Sequence, residues 1–242
     1  MKSLERLKDA IFIALIFGVF GLILAFIGRL NYAAAVLITG LGASCLVFWE
    51  LKHVAKISLF EIAVFLFGGA VSIFFTVVSP FVFMLAFLAL VVSKKFPVSF
   101  LCFFLGLGLG AGVEVLYEKD LLSFFFNLVC AIAFDSAAFY VGSAVGGYKL
   151  APSISPNKTW AGVFGGALAF FTVALGWHIL IEKLKISFLC LPVFYVCGDL
   201  LKSQVKRCIG IKDFSLIFKS HGGIIDRVDS NLAGLILVNA AM

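Results

Sequence analysis

Long apolar runs separated by short polar breaks dominate the chain. The first expected helix runs over Ala10–Gly28 and stops at Arg29. Further runs cover Tyr32–Trp49, Ser58–Ser79, Phe81–Val92, Pro97–Tyr117, Leu121–Gly142, Ala161–Ile181 and Ile186–Leu201, with a last one beginning near Gly223. A helix needs about 20 mostly apolar residues to cross roughly 30 Å of hydrocarbon. Most of the runs meet that length, and Phe81–Val92 is short enough to be a re-entrant piece. The first run is long for a signal-peptide core, carries Glu5 and Asp9 at its head, and lacks an A-x-A site, which favours a retained helix.

The expected architecture is therefore all-α, a polytopic transmembrane bundle of about nine spans with a cytoplasmic N-terminus. Charge supports the count. If nine spans alternate from that start, all but four of the 19 Lys and Arg fall on one side, leaving Arg29, Lys119, Lys183 and Lys185 on the other. That matches the enrichment of basic residues in cytoplasmic loops. An eight-span chain would break the alternation at Lys94 and Lys95.

Composition agrees. Of 242 residues, 63% are apolar and 13% charged, with 29 Phe and 23 Gly, and the mean hydropathy is +1.16. A soluble domain is nearer 45–50% apolar and about 25% charged, so a soluble enzyme, a disordered chain and a collagen-like repeat are excluded. The net charge of +6 comes from scattered residues, not from a basic stripe of the kind that binds nucleic acid. The six cysteines form no C-x-x-C pair and no zinc spacing, so no disulfide framework or zinc cage is expected. No repeat or linker divides residues 1–242, which read as a single integral-membrane domain. Gly106, Gly108, Gly110 and Gly112 form overlapping G-x-x-x-G patterns, suited to close helix packing within the chain or, less readily, to a homodimer seam.

The polar residues concentrate late, in a catalytic half spanning 133–242. Two cytoplasmic loops, 143–160 and 202–224, are expected on the same face. Asp135 is expected in the cytoplasmic half of its span, Asp199 at the cytoplasmic end of its own, and Asp226 and Asp229 at the start of the last. Ionisable groups at membrane depth are costly and commonly mark a site. Asp226 and Asp229, three apart on a helix, share a face. With Asp199 they would suit a hard divalent cation such as Mg²⁺, which takes oxygen ligands. The plainer alternative is that the two aspartates cap the last helix and Arg227 pairs locally. Ser155-Pro-Asn-Lys158-Thr159 precedes a helix containing Gly162, Gly165 and Gly166. Hydroxyls and N–H groups at such a start favour anions, Lys158 adds a positive charge, and the glycines would let backbone approach a ligand. Carboxylates for a metal and cations for phosphates, both at the lipid surface, imply a nucleotide or pyrophosphate substrate and a membrane-lipid partner.

The run Ser203-Gln-Val-Lys206-Arg207, then Lys212-Asp213, then His221-Gly222-Gly223-Ile-Ile-Asp226-Arg227-Val-Asp229-Ser230 resembles the signature of the phosphatidate cytidylyltransferases (CDP-diacylglycerol synthases). Asp135-Ser136 through Thr159 and Gly162 resembles the same family's other motif. The resemblance implies a Mg²⁺-dependent, multi-pass enzyme of a bacterial inner membrane, with its active site on the cytoplasmic face. It would make CDP-diacylglycerol and pyrophosphate from CTP and phosphatidate. By that resemblance Asp199, Asp226 and Asp229 would hold metal, with a second cation left open. Lys206, Arg207, Lys212, Asp213, His221 and Arg227 complete the catalytic set. Asp135, Ser155, Lys158, Thr159, Ser203, Gly222 and Gly223 would bind substrate. His221 could hydrogen-bond a phosphate or hold its loop. Lys219-Ser220, Ala161 and Ser143 depart from the family pattern.

Two other classes bear comparison. A CTP-dependent lipid or polyprenol kinase would need a general base for an alcohol, and the full C-terminal string argues against it. A transporter is suggested by Glu61, Glu114 and Asp135. Glu61 and Glu114 lie near span ends, however, where snorkelling to the interface would accommodate them.

Overall fold

A computed structural model describes residues 32–52, 55, 57–181, 185–211, 214 and 225–242, with the side chains of 32–40, 118, 119, 226 and 227 excepted. The expected first helix, Ala10–Gly28, lies outside the described residues, as do Lys212, Asp213, His221, Gly222 and Gly223. The other eight expected helices are present. They are α1 (Tyr32–Leu51), α2 (Leu59–Phe74), α3 (Ser79–Ser93), α4 (Pro97–Glu114), α5 (Leu121–Val145), α6 (Trp160–Ile181), α7 (Leu191–Ile209) and α8 (Ile225–Ala241).

Among the described residues, four helical stretches are long and apolar enough to cross a membrane: Pro97–Tyr117, Leu121–Val145, Trp160–Ile181 and Ile186–Ile209. The first of these includes the start of a π-helical turn, Val115–Lys119, that continues α4, and the last begins with a 3₁₀ turn, Ile186–Cys190. α3 is only 15 residues long, about 22 Å at 1.5 Å per residue, as the shortness of its apolar run anticipated.

Local chemistry sets several boundaries. Ser58 and Glu61 form a reciprocal capping box at the start of α2, so Glu61 serves the helix end. Asp120 starts α5, its carboxylate accepting from Leu122 N–H at 3.2 Å and from the Ser123 hydroxyl at 3.1 Å. Gly210, at φ +75°, ends α7 in the left-handed conformation that suits glycine.

The glycine series of α4 is spent inside the chain. A side chain at Gly106 would collide with the backbone of Phe65, and one at Gly110 would come within 2.9 Å of Gly69 O, both on α2. Gly108 and Gly112 face Leu232 and Leu235 of α8. Alternate glycines thus seat α4 against two neighbours, the internal packing the pattern anticipated.

Aromatic rings fill the space between helices. Phe83 lies against Phe104 and Phe194, and Phe126 against Trp177 and Phe188. Many large apolar residues, including Leu59, Phe67, Phe74, Phe164, Leu168 and Leu180, point outward. Glu50, Glu114, Asn127, Lys202, Asp229 and Asn239 are buried. Apolar outside with polar groups buried inside suits a protein whose solvent is lipid. The burial of Glu114 corrects the expectation that it snorkels, since its carboxylate accepts from Asn239 Nδ2 at 2.9 Å inside the bundle.

The loop 143–160 also differs from its expected form. It folds as an antiparallel hairpin of β1 (Lys149–Ala151) and β2 (Ser155–Thr159), with Lys149 opposite Thr159 and Ala151 opposite Ser155. Trp160 N–H donates to Tyr148 O at 3.0 Å and closes it onto α6.

Candidate active site

The middle of α7, the second half of α5, the start of α8 and the hairpin meet toward one end of the bundle. α7 runs on to Ile209, so Asp199 lies within its helix and not at the end that its apolar run suggested. Gly198 allows the meeting of α7 and α8. A side chain there would come within 2.7 Å of Ala233 Cβ and 2.8 Å of Asp229 O. Only a residue without Cβ lets the two backbones lie so close, which carries Asp199 to the level of Asp229.

The Lys202 ammonium then lies 3.3 Å from Asp199 Oδ1 and 2.6 Å from Asp229 Oδ2. Lys158, from β2, pairs with the other oxygen of Asp199. Side-chain exposure separates the members: 25% for Lys158 and Asp199, 7% for Lys202 and 5% for Asp229. The deepest pair is thus Lys202–Asp229. Asp135 on α5 joins the group, accepting from the Ser230 hydroxyl at 3.3 Å, and itself remains exposed. It lies within electrostatic range of Asp199, Lys158 and Lys202.

A clamp lies below the carboxylates. Asn127 of α5 donates to Asn231 of α8, at 2.5 Å to Oδ1 and 3.0 Å to the backbone carbonyl. Its own Oδ1 accepts from Tyr195 OH of α7 at 3.1 Å. The three helices carrying Asp135, Asp199 and Asp229 are therefore tied together by one buried amide. At the other side of the site, Glu50 of α1 is buried and accepts from Ile225 N–H at 2.8 Å. A carboxylate at the first residue of α8 satisfies an orphan donor and complements the helix dipole.

Thr159 is buried, and its hydroxyl accepts from Gly162 N–H at 3.1 Å as the N-cap of α6. Ser155 lies opposite Ala151 in the hairpin, and Ser203 is half-buried on α7. Arg207 Nε donates to Ile154 O at 3.2 Å and ties α7 to the hairpin turn. Lys206 lies over the Phe214 ring at 5.9 Å. Asp226 and Arg227 occupy the first turn of α8, Asp226 one turn before Asp229.

One expectation is corrected here. Gly162, Gly165 and Gly166 do not open a path to a ligand, because they pack on Gly142, Ala138, Val141 and Phe134 of α5. Lys202, Ser230 and Glu50 escaped the sequence reading as site residues. Lys202 offered one usable signal, its i,i+3 spacing from Asp199.

Among the described residues, no group of three or more His, Cys, Asp or Glu is arranged to hold a metal ion. The donors present nonetheless fit a hard cation. Asp229 Oδ2 is buried, and the Lys202 ammonium pairs with it at 2.6 Å. Asp135, Asp199 and Asp229 outnumber the two lysines, Lys158 and Lys202, that face them. Two such ligands plus substrate phosphates and waters suffice for Mg²⁺.

A bundle of apolar helices with a carboxylate–lysine cluster at one end defines a class, a membrane-embedded protein with a polar site suited to phosphates. The chain belongs to the cytidylyltransferase family, whose model matches residues 8–242. Among its relatives, a phosphatidate cytidylyltransferase of Brucella melitensis is 41% identical over 114 residues, 43% of this chain and 40% of that protein. One from Haemophilus influenzae is 41% identical over 125 residues, 48% of this chain and 43% of that protein. One from Staphylococcus epidermidis is 37% identical over 139 residues, covering 54% of each. The chain spans about half the length of these relatives. No solved structure matches it.

Proposed function

We propose that this protein transfers the cytidylyl group of CTP to phosphatidate, giving CDP-diacylglycerol and pyrophosphate, at the cytoplasmic face of a bacterial inner membrane. The observation that carries this reading is the junction of Lys158, Asp199, Lys202 and Asp229, from the hairpin, α7 and α8, at one end of the bundle. The family match and the names of the relatives support the same chemistry.

The reaction asks little of a general base. A phosphomonoester has a second pKa near 6, so at neutral pH its oxygen is already largely ionised. That oxygen attacks the α-phosphorus of CTP in line, a new P–O bond forms, and the bond to the β,γ-pyrophosphate breaks. The work left to the chain is positioning and charge neutralisation. Lys158 of the hairpin, with Lys206 and Arg207 of α7, would meet the incoming phosphates, and the resemblance adds Lys212. Asp199 and Asp229, with Asp226 a turn earlier, are the carboxylates that would hold Mg²⁺, and the ion would supply positive charge to neutralise the phosphates. Asp135 and Ser230 complete the wall on the α5 side.

Protein in detergent or liposomes, given CTP and phosphatidate, should release pyrophosphate and form CDP-diacylglycerol only with a divalent cation. Diacylglycerol and a polyprenol, offered as rival acceptors, should give no phosphorylated product and no CDP. Formation of CDP with either alcohol would assign the chain to the kinase class instead. Normal turnover in Asp226→Ala would remove that residue from the metal set.

A further inference from the structure

We propose that Lys202 is a resident counter-ion that holds Asp199 and Asp229 together before substrate arrives and must withdraw for a divalent cation to take both carboxylates. The inference rests on the reading of Asp199 and Asp229 as metal ligands, and it makes metal and nucleotide binding interdependent.

The geometry is specific to this lysine. Its ammonium lies 2.6 Å from one carboxylate and 3.3 Å from the other, the two being on different helices. With 7% of its side chain exposed, it is a fixture of the site. Lys158 differs in both respects: it pairs with Asp199 and is 25% exposed on the hairpin. A hard cation would need the oxygens that Lys202 now neutralises. Two cations sharing those oxygens would stand next to each other with little water between them, where like charges repel strongly. The lysine stem is flexible and its ammonium is a compact point charge. Swinging off the carboxylates is possible once another anion offers itself, and the phosphates of a nucleotide are such an anion. Metal therefore binds poorly to the empty site and well to the site holding nucleotide, and each ligand strengthens the other to the same degree.

Binding of Mn²⁺, a paramagnetic substitute for Mg²⁺, is read by electron paramagnetic resonance on the monodisperse full chain in detergent. Without nucleotide, Lys202→Met and Lys202→Gln should each bind Mn²⁺ about tenfold more tightly than the parent, within the ordinary range of such couplings. Lys202→Arg should stay weak. A non-hydrolysable CTP analogue should tighten Mn²⁺ binding by the parent about tenfold and by the Met and Gln variants much less. Unchanged or weaker Mn²⁺ binding in the Met and Gln variants overturns the proposal. If Asp199→Asn and Asp229→Asn abolish Mn²⁺ binding while the Lys202 variants match the parent, the lysine role alone fails. If neither aspartate substitution changes Mn²⁺ binding, the metal reading fails with it.

Discussion

At the scale of single residues, the Lys202–Asp229 pair behaves differently whole and halved. Both side chains are almost fully removed from solvent, 7% and 5% exposed. A buried pair gains little net stability, because desolvation offsets attraction, but removing one partner strands a charge at a cost of roughly 3–5 kcal/mol. Asp229→Asn should therefore lower the thermal midpoint in detergent, by less than a fully stranded charge would because Asp199 still lies 3.3 Å from Lys202. Adding Lys202→Met to Asp229→Asn should recover most of that loss while leaving turnover absent. The double-mutant cycle separates the two effects: equal stability losses in the single and the double variant would mean that the two side chains do not act as a pair.

Element-scale behaviour depends on which glycines are contact points. Gly106 rests on the Phe65 backbone, whereas Gly176 of α6 has nothing within 4 Å of a built side chain. Gly106→Val should force α2 and α4 apart at a cost of about 1–3 kcal/mol. Gly176→Ala should stabilise its helix by roughly 0.5–1 kcal/mol. Opposite shifts of the thermal midpoint would confirm the assignment, and a loss in both would refute it. The first turn of α8 answers to Glu50 in the same way. Glu50→Ala leaves Ile225 N–H buried without this acceptor, a cost of about 1–3 kcal/mol. It should reduce turnover through the misplaced carboxylates of α8, while Glu50→Gln, which keeps an acceptor, should retain most of it. These elements also mark what could be read from sequence. Eight helices stood out because lipid-facing runs are apolar along their whole length and end at charges or capping residues. The α4 glycines were legible as packing because their spacing is local. The partners of Gly162, Gly165 and Gly166 were not, since only the pairing of α5 with α6 shows that helix fills the space. Lys202 and Glu50 escaped for the same reason, as their contacts reach to Asp229 and, across 175 positions, to Ile225.

At the scale of the whole molecule, the two ends of the bundle carry different chemistry. The hairpin, Asp199, Lys202 and Asp229 gather at one end. At the other, the Lys185 ammonium donates to Ala241 O at 2.8 Å, and Ser123 bonds both Asp120 and Met242. α5 joins the two over 25 residues, about 37 Å at 1.5 Å per residue, enough to span roughly 30 Å of hydrocarbon. If the loop charges follow the positive-inside rule, the site end would face the cytoplasm, which labelling tests. Tyr148 at the hairpin base is 90% exposed, and Ile186 at the opposite end is 85% exposed, so each can carry a reporter. With a membrane-impermeant maleimide, Tyr148→Cys should label in inside-out vesicles and Ile186→Cys in right-side-out ones, each above the background of the parent cysteines. CTP added outside should be consumed by the inside-out preparation, because the nucleotide does not cross lipid unaided. Labelling of both positions from one side would mean that α5 does not cross the bilayer, and the alternation of spans would have to be redrawn. Labelling from opposite sides with CTP consumed on the Ile186 side would keep the spans but detach the reaction from the lysine–carboxylate end.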